Sequence, residues 1–388
     1  MKRNRIIWLV LWILSIVGIS FFGGYFSYGF FVALTLIPVF SLLYLAYIYL
    51  FFHIAQDIRN RYAVVNEKIP YYFSLVNEYP ILFSGVRVIF YSSFSTIHGL
   101  SDETEYELFP RTGIHKETQL ICRYRGEYKV GIKEIEMQDY FRLFRISYKN
   151  KESVTAVVRP QLICLESLGA IELVNAVRNA ASLCMEPDIE TREYIPGDEI
   201  RMINWSQSAR TGTLLTRKMI GQEFRQISII LDTHRESKED KVYFPLENKM
   251  LELELAVAYY LSRNKIMATE YHYQDKLVSL PVGSEDSFQS FYETISEVKF
   301  DDRNTHALLC ESIGQNVEIF NSSMIFFVLS KWSTEIEGLV QRLSQNNLYI
   351  TVYLIYSKEG SVPKLADNNR TRFEFISTDA DLLEVMGR

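Results

Sequence analysis

A basic excess is missing from this 388-residue chain, in which 41 Lys and Arg stand against 47 Asp and Glu for a net charge of −6. Without a positive face there is no electrostatic footprint for nucleic acid, which excludes that class of partner. Cysteine is scarce too: Cys122, Cys164, Cys184 and Cys310 are widely spaced and form no C-x-x-C. That spacing excludes a compact disulfide framework, and the four read as small buried hydrophobes in a reducing compartment. G-x-x-x-x-G-K-[ST], H-E-x-x-H and G-x-S-x-G are all absent. The chain is therefore not itself a P-loop ATPase, and it lacks the signatures of a zinc protease or an α/β-hydrolase.

Charge is what the start of the chain lacks. After Lys2, Arg3 and Arg5, residues Ile6 to Phe22 are apolar, Gly23-Gly24 and the residues to Gly29 form a short break, and Phe30 to Phe52 is a second apolar run. Each run is about as long as the roughly 20 residues that span a bilayer. Positive charges precede the first run and follow the second (Arg59, Arg61), so residues 1–55 read as a two-span hairpin in the plasma membrane with both ends cytoplasmic. A cleaved signal peptide is the competing reading, but the first run has no A-x-A-like site. Pro38 is tolerable within a membrane helix.

Residues 56–160 change to short β-branched and aromatic runs broken by Gly, Pro, Asn and Asp: Val86 to Phe90, Gln119 to Tyr124, Tyr128 to Ile135 and Val154 to Val158. The pattern predicts a small antiparallel β domain. Residues 161–225 hold a connecting stretch and a charged motif. Leu162, Leu165, Leu168, Ile171 and Val174 recur at near-helical spacing, which predicts a helix from Gln161 to Cys184. From Glu190 to Met219, Arg192, Arg201, Arg210 and Arg217 face Glu193, Asp198 and Glu199 around Trp205. Pro196-Gly197-Asp198 is turn chemistry that leaves Asp198 to cap a helix, with Ile200, Ile203 and Trp205 facing inward and Thr211-Gly212-Thr213 ending it. Three readings stand side by side: a fixed ion-pair knot, because buried charge needs partners; a protein-docking surface, for which Arg and Trp are enriched; and a catalytic acid–arginine site acting on phosphate through Arg192, Asp198, Arg201 and Arg210.

Residues 226–388 alternate strand and helix, beginning with Ile227 to Leu231 and continuing through strands at 266–273, 324–329, 348–356 and 372–376. That alternation predicts parallel βαβ units, an α/β fold with a doubly wound sheet. Ligands of such sheets lie beyond the carboxyl ends of the strands, where Asp232-Thr233-His234-Arg235-Glu236 follows the first strand.

The order R-x-Y-x-P-G-D-x-x-R-x-I-x-W-x-x-S-A-R, carried here by Arg192, Tyr194, Pro196, Gly197, Asp198, Arg201, Ile203, Trp205, Ser208, Ala209 and Arg210, resembles the bacterial "domain of unknown function 58" proteins. Asn204 stands where that family often has aspartate. Arg125-Gly126-Glu127-Tyr128 and Asp139-Tyr140-Phe141-Arg142-Leu143-Phe144 resemble its R-G-x-Y and D-P-F-G-L-F segments, with Tyr140 and Arg142 in place of proline and glycine. The resemblance implies a membrane-anchored protein with a von Willebrand factor A-like C-terminal domain, partnered by a MoxR-type AAA+ ATPase and by other membrane or envelope proteins. It also implies a place to look for a metal-ion-dependent adhesion site, D-x-S-x-S with a threonine and a second aspartate. Asp232 matches, His234 and Glu236 replace the serines, Thr305 supplies the threonine, and Ser330-Lys331-Trp332 stands where the second aspartate belongs. A cation such as Mg²⁺ wants oxygen ligands, which leaves this set degenerate and the expected cofactor none. The expectation is a non-enzymatic membrane adaptor. The alternatives are a metal-dependent hydrolase or phosphate-handling enzyme using Asp198, Asp232 and Glu236, and an extracytoplasmic adhesion module.

Overall fold

The structure, a computed structural model, describes residues 1–150, 153–169, 186–195, 203–220, 226–346, 348–357, 365, 367, 368 and 370–386. The chain divides into two compact units, Met1–Gln161 and Leu162–Arg388.

The first unit opens with α1 (Lys2–Phe22) and α2 (Tyr25–Phe51), both long and apolar enough to cross a membrane. Gly23 and Gly24 turn the chain between them with φ of 39° and 145°, values that side chains with a Cβ rarely adopt. The helices run back to back: Trp8 Nε1 donates to the Leu34 carbonyl at 3.0 Å and Trp12 Nε1 to Thr35 Oγ1 at 3.0 Å. Most remaining side chains of the pair face outward, including Leu14 and Phe40. Phe52 alone separates α2 from the first strand.

Eleven strands follow: β1 (His53–Ile58), β2 (Tyr62–Val64), β3 (Lys68–Asn77), β4 (Phe83–Phe90), β5 (Ser95–Ile97), β6 (Glu103–Leu108), β7 (Thr112–Cys122), β8 (Gly126–Val130), β9 (Ile132–Gln138), β10 (Arg145–Lys149) and β11 (Val154–Arg159). They form sheets in the orders β1-β3-β7-β5, β10-β9-β4-β6 and β2-β11-β8. Every pairing is antiparallel except β2 with β11. Alternate residues Ile69, Tyr71, Phe73 and Leu75 of β3 are buried, as are Val86, Val88 and Phe90 of β4. The Phe73 and Phe90 rings meet edge to face, 5.7 Å apart, so two of the sheets share this core. The run from Tyr128 to Ile135 is two strands, not one. Gly131 breaks it with φ 81°, where an added Cβ would lie 2.6 Å from Gln56 Oε1.

From Gln161, the last residue of the first unit, to Leu168 the chain is irregular, which corrects the expected helix over those residues; the rest of that expected helix, from residue 170 to Cys184, lies outside the described residues. The leucine spacing there serves the core directly, because Leu165 and Leu168 are buried against the sheet described next. Cys122 and Cys310 are buried as expected, but Cys164 is exposed. A hairpin, β12 (Glu186–Glu193) with β13 (Leu215–Ile220), holds a short helix α3 (Trp205–Thr211) between its strands.

The main sheet comprises β14 (Ile227–Leu231), β15 (Ala268–Gln274), β16 (Lys276–Val282), β17 (Met324–Leu329), β18 (Tyr349–Tyr356) and β19 (Thr371–Ser377). Their order is β16-β15-β14-β17-β18-β19, that is 3-2-1-4-5-6, with β16 antiparallel at one edge and the other five parallel. Helices α4 (Asp240–Arg263), α5 (Glu285–Ser296), α6 (His306–Gly314), α7 (Val317–Phe320), α8 (Thr334–Gln345) and α9 (Leu382–Met386) complete the unit. Side-chain alternation along the strands makes two cores. Ile227, Ile229, Phe326 and Tyr353 pack with α4 and α5 on one face, and Ile230, Phe327 and Val352 with α6 and α8 on the other. The unit is thus a mixed α/β layer structure with a six-stranded sheet. The first strand, β14, lies between β15 and β17, where the order reverses, and the crevice at its carboxyl end is the expected ligand position.

Candidate functional site at the carboxyl edge of the sheet

Asp232 directly follows β14 and is 1% exposed. Three donors hold it. The His234 amide reaches Oδ1 at 3.0 Å, while His306 Nε2 and Ser330 Oγ reach Oδ2 at 3.0 and 3.2 Å. His306 opens α6 and is itself buried, and its ring meets that of His234 edge to face at 5.2 Å. Burial alone would lower the His306 pKa, but the hydrogen bond and charge of Asp232 outweigh it, and the net direction is upward from the ordinary histidine value. Asp232 and His306 are therefore a buried hydrogen-bonded pair across the sheet edge, in which the carboxylate favours the charged imidazolium. His234 Nδ1 is buried there without a hydrogen-bond partner.

The other residues expected at a cation site go elsewhere. Glu236 is exposed and pairs with Lys331, the lysine that follows Ser330. Thr305 is exposed at the N-cap position of α6 and makes no side-chain cap there. Asn304, beside it, is buried and donates to Thr233 Oγ1 at 3.2 Å, tying the β14 loop to the α6 loop. Among the described residues no group of three or more His, Cys, Asp or Glu is placed to hold a metal ion.

Next to Asp232 the loop residue Arg235 forms a bidentate pair with Glu247 of α4, at 2.6 and 3.0 Å, and stacks 4.0 Å over the Tyr243 ring. These groups wall a cavity of about 510 Å³ with Leu246, Met250, Trp332 and Tyr356. Its lining is mostly apolar, with the charged side chains of Arg235, Glu236, Glu247 and Lys331 among it.

A second buried set was hidden from sequence reading. Glu254 of α4, Glu270 and His272 of β15 are at most 2% exposed. His272 Nδ1 lies 3.0 Å from Glu270 Oε1, and the Glu254 and Glu270 carboxyls are hydrogen-bonded to one another. Burial drives both glutamate pKa values well above the ordinary carboxylate value, and the Glu270 charge raises Glu254 further. Burial lowers that of His272. The available signal was period two: Ala268, Glu270 and His272 share the face of a strand that otherwise packs a core.

Of the charged motif, Pro196, Gly197, Asp198 and Arg201 lie outside the described residues, and Arg192 is placed by its backbone, opposite Thr216 in the hairpin. Tyr194 continues the pairing, its amide donating to the Leu214 carbonyl at 2.8 Å. Helix α3 starts at Trp205 with Asn204 as its cap, Oδ1 accepting from the Gln207 amide at 3.2 Å. An amide oxygen serves this cap, so no carboxylate is required at the position. Ser208 is buried and accepts from the Leu215 amide at 2.9 Å, which fastens α3 to β13. Arg210 is exposed. Trp205 is 62% exposed, which corrects the expectation that it faces inward; Ile203, 8% exposed, is the residue that does.

Residues 190–368 match the family model described as "Protein of unknown function DUF58". Over those residues the chain belongs to the DUF58 family. The DUF58 region runs from the hairpin that carries Tyr194 and Trp205 through β18 of the sheet. No curated protein matches the chain. Among solved structures, the CARDB domain of a Pyrococcus furiosus protein shares 16% identity over 28% of this chain and 94% of that chain, with a TM-score of 0.19. A family GH20 exo-β-N-acetylglucosaminidase from Vibrio harveyi shares 6% over 79% of this chain and 57% of its own, at TM-score 0.20. A Bacteroides uniformis β-glucuronidase shares 9% over 78% and 33%, at 0.17. Likeness at this level carries no argument about fold or activity.

Proposed function

We propose that this protein is a non-enzymatic, membrane-anchored adaptor that works with a MoxR-type AAA+ ATPase in the assembly or maturation of envelope proteins or complexes. In this reading α1 and α2 cross the plasma membrane, and Lys2, Arg3, Arg5, Arg59 and Arg61 hold both ends of the hairpin on the cytoplasmic side. The sheet is a von Willebrand A-like domain. Its support is the 3-2-1-4-5-6 order with an antiparallel edge, and Asp232 at the reversal point.

The observation that carries the adaptor reading is the exposure of Trp205 on a helix fixed at its start by the Asn204 cap and at its middle by Ser208 on β13. An exposed tryptophan on a rigid support, with Arg210 on the same short helix, is the composition of an interface hot spot. The hydrolase reading has weaker support. Asp232 is occupied by three internal donors, Glu236 is paired with Lys331, and Asp198 lies outside the described residues.

The test is purification of tagged full-length protein from its own cells in mild detergent with crosslinking, comparing wild type, Trp205→Ala and Arg201→Ala. The AAA+ ATPase is expected with wild type and is expected to be lost from a Trp205→Ala variant that still melts normally. Its absence from the wild-type sample would overturn the proposed partner.

A further inference from the structure

We infer that the Asp139–Phe144 turn is a membrane-docking element whose aromatic side chains sit in the headgroup region of the cytoplasmic leaflet; this rests on the proposal that α1 and α2 cross the bilayer.

The turn is built to hold one shape. The Arg142 amide donates to the Asp139 carbonyl at 2.9 Å, and the buried Asp139 carboxylate accepts from the Phe144 amide at 2.7 Å and the Phe141 amide at 3.2 Å. A carboxylate clamped on two backbone amides fixes the loop, yet the side chains it presents are not turned inward. Tyr140 and Phe141 are 52% and 54% exposed. Tyr140 packs against a neighbouring helix, but the Phe141 ring is held outward and needs a partner of its own chemistry.

The position of the turn identifies that partner. Asn4 Nδ2 donates to the Phe141 carbonyl at 3.0 Å and Arg5 Nε to the Leu143 carbonyl at 2.6 Å. The turn is thus level with the first turn of α1, where the basic residues end and the apolar run begins. On the other helix, the Tyr140 ring lies 4.6 Å from that of Tyr44, and both hydroxyls donate to the Leu82 carbonyl. Helix α2 has 27 residues and is about 40 Å long, against a hydrocarbon core of roughly 30 Å. Its last turns, with Tyr44, Tyr47 and Tyr49, therefore emerge through the headgroup layer, and the Asp139–Phe144 turn is packed at that depth. Tyrosine is enriched there because its ring is apolar and its hydroxyl wet.

Between the turn and α2 lies a groove of about 400 Å³ lined by Phe40, Leu43, Tyr44, Tyr140 and Phe141, with Ser41 at its wall. An apolar groove of this kind suits the acyl chain of a phospholipid. The groove continues the outward apolar surface of the helices, so the occupant is a lipid of the bilayer that they cross.

The experiment places the photo-crosslinking residue p-benzoylphenylalanine singly at Phe141, Leu14 or Tyr62 of the full-length protein in phosphatidylcholine/phosphatidylglycerol nanodiscs, with lipid adducts read by mass spectrometry. Leu14 is an outward residue of α1, and Tyr62 is an equally open residue beyond the far end of β1. Phe141 is expected to give lipid adduct at the level of Leu14 and roughly tenfold above Tyr62, since insertion excludes water from the label. If Leu14 labels and Phe141 does no better than Tyr62, the turn sits in water and the inference fails while the membrane reading stands. If Leu14 yields no lipid adduct either, both fall. An adduct from Phe141 to a second copy of the chain, in place of lipid, also overturns the inference.

Discussion

His306 Nε2 and Asp232 Oδ2 lie 3.0 Å apart with both residues buried, so the carboxylate at the end of the first sheet strand finds its hydrogen-bond partner within the fold. Removing one partner leaves the other charge buried and alone, at a cost of about 3–5 kcal/mol. Asp232→Asn and His306→Gln are each expected to lower the melting temperature of the protein. The loss for His306→Gln is pH-dependent. A folded-state pKa above the unfolded 6.5 stabilises below 6.5, and the gain is lost as pH rises through the folded value. The gap between wild type and His306→Gln should therefore narrow on going from acid to alkaline buffer in thermal melts.

Magnesium should find no purchase at this edge. The Asp232 oxygens are taken by His306, Ser330 and the His234 amide, and the Lys331 ammonium sits beside Glu236. Calorimetric titration of the full-length protein with Mg²⁺ is expected to give no saturable heat. A clear micromolar site would revive the hydrolase reading.

Glu254 makes the opposite prediction about pH. Its pKa is raised in the fold by burial and by Glu270, so above the unfolded value of 4.5 the folded state holds a proton that the unfolded state has released. Stability then falls as pH rises. Glu254→Gln removes that dependence. Its melting temperature should match wild type near pH 4 and exceed it increasingly toward about pH 8, by a margin that grows with pH. Identical pH profiles for the two proteins would sink the assignment of a protonated Glu254.

Arg142 takes φ 54° in the turn at the foot of the helices, a conformation that glycine adopts without strain. A left-handed residue with a Cβ costs about 1–2 kcal/mol, offset in part by the greater entropy that glycine loses on folding. Its ion pair with Glu105 spans 3.6 Å between two well-exposed side chains and offers little in return. Arg142→Gly is expected to leave stability unchanged or raise it by up to about 1 kcal/mol in denaturant melts.

Much of the sheet was legible because its strands are near-continuous β-branched and aromatic runs. I-S-I-I-L at 227–231, M-I-F-F-V-L at 324–329 and Y-I-T-V-Y-L-I-Y at 349–356 are buried on both faces and leave no helical reading. The edge strand β16 was not legible. Pro281 and the alternation of exposed with half-buried residues blur it, and only Asp275 at φ 59° reveals the turn that folds it back onto β15. Pro245 likewise concealed that α4 begins at Asp240. Trp205 shows the limit of pattern reading at a site. A seven-residue helix is too short for its periodicity to say which face is packed, and composition favoured burial where the structure has exposure. The Asp232–His306 pair joins residues 74 positions apart. Placing both on loops at one edge was within reach of the topology, but their direct contact was not.

The single residue Phe52 between helix and sheet has a mechanical consequence. A one-residue joint has no slack, and β1 is locked at once into its register with β3, from His53 opposite Val76 onward. With the helices in a bilayer, the first unit can neither drift away from the surface nor swivel freely above it. Tilt or rotation of the hairpin becomes tilt or rotation of that whole β unit. In that setting, whatever grips the helical end sets the attitude of the β unit that it carries.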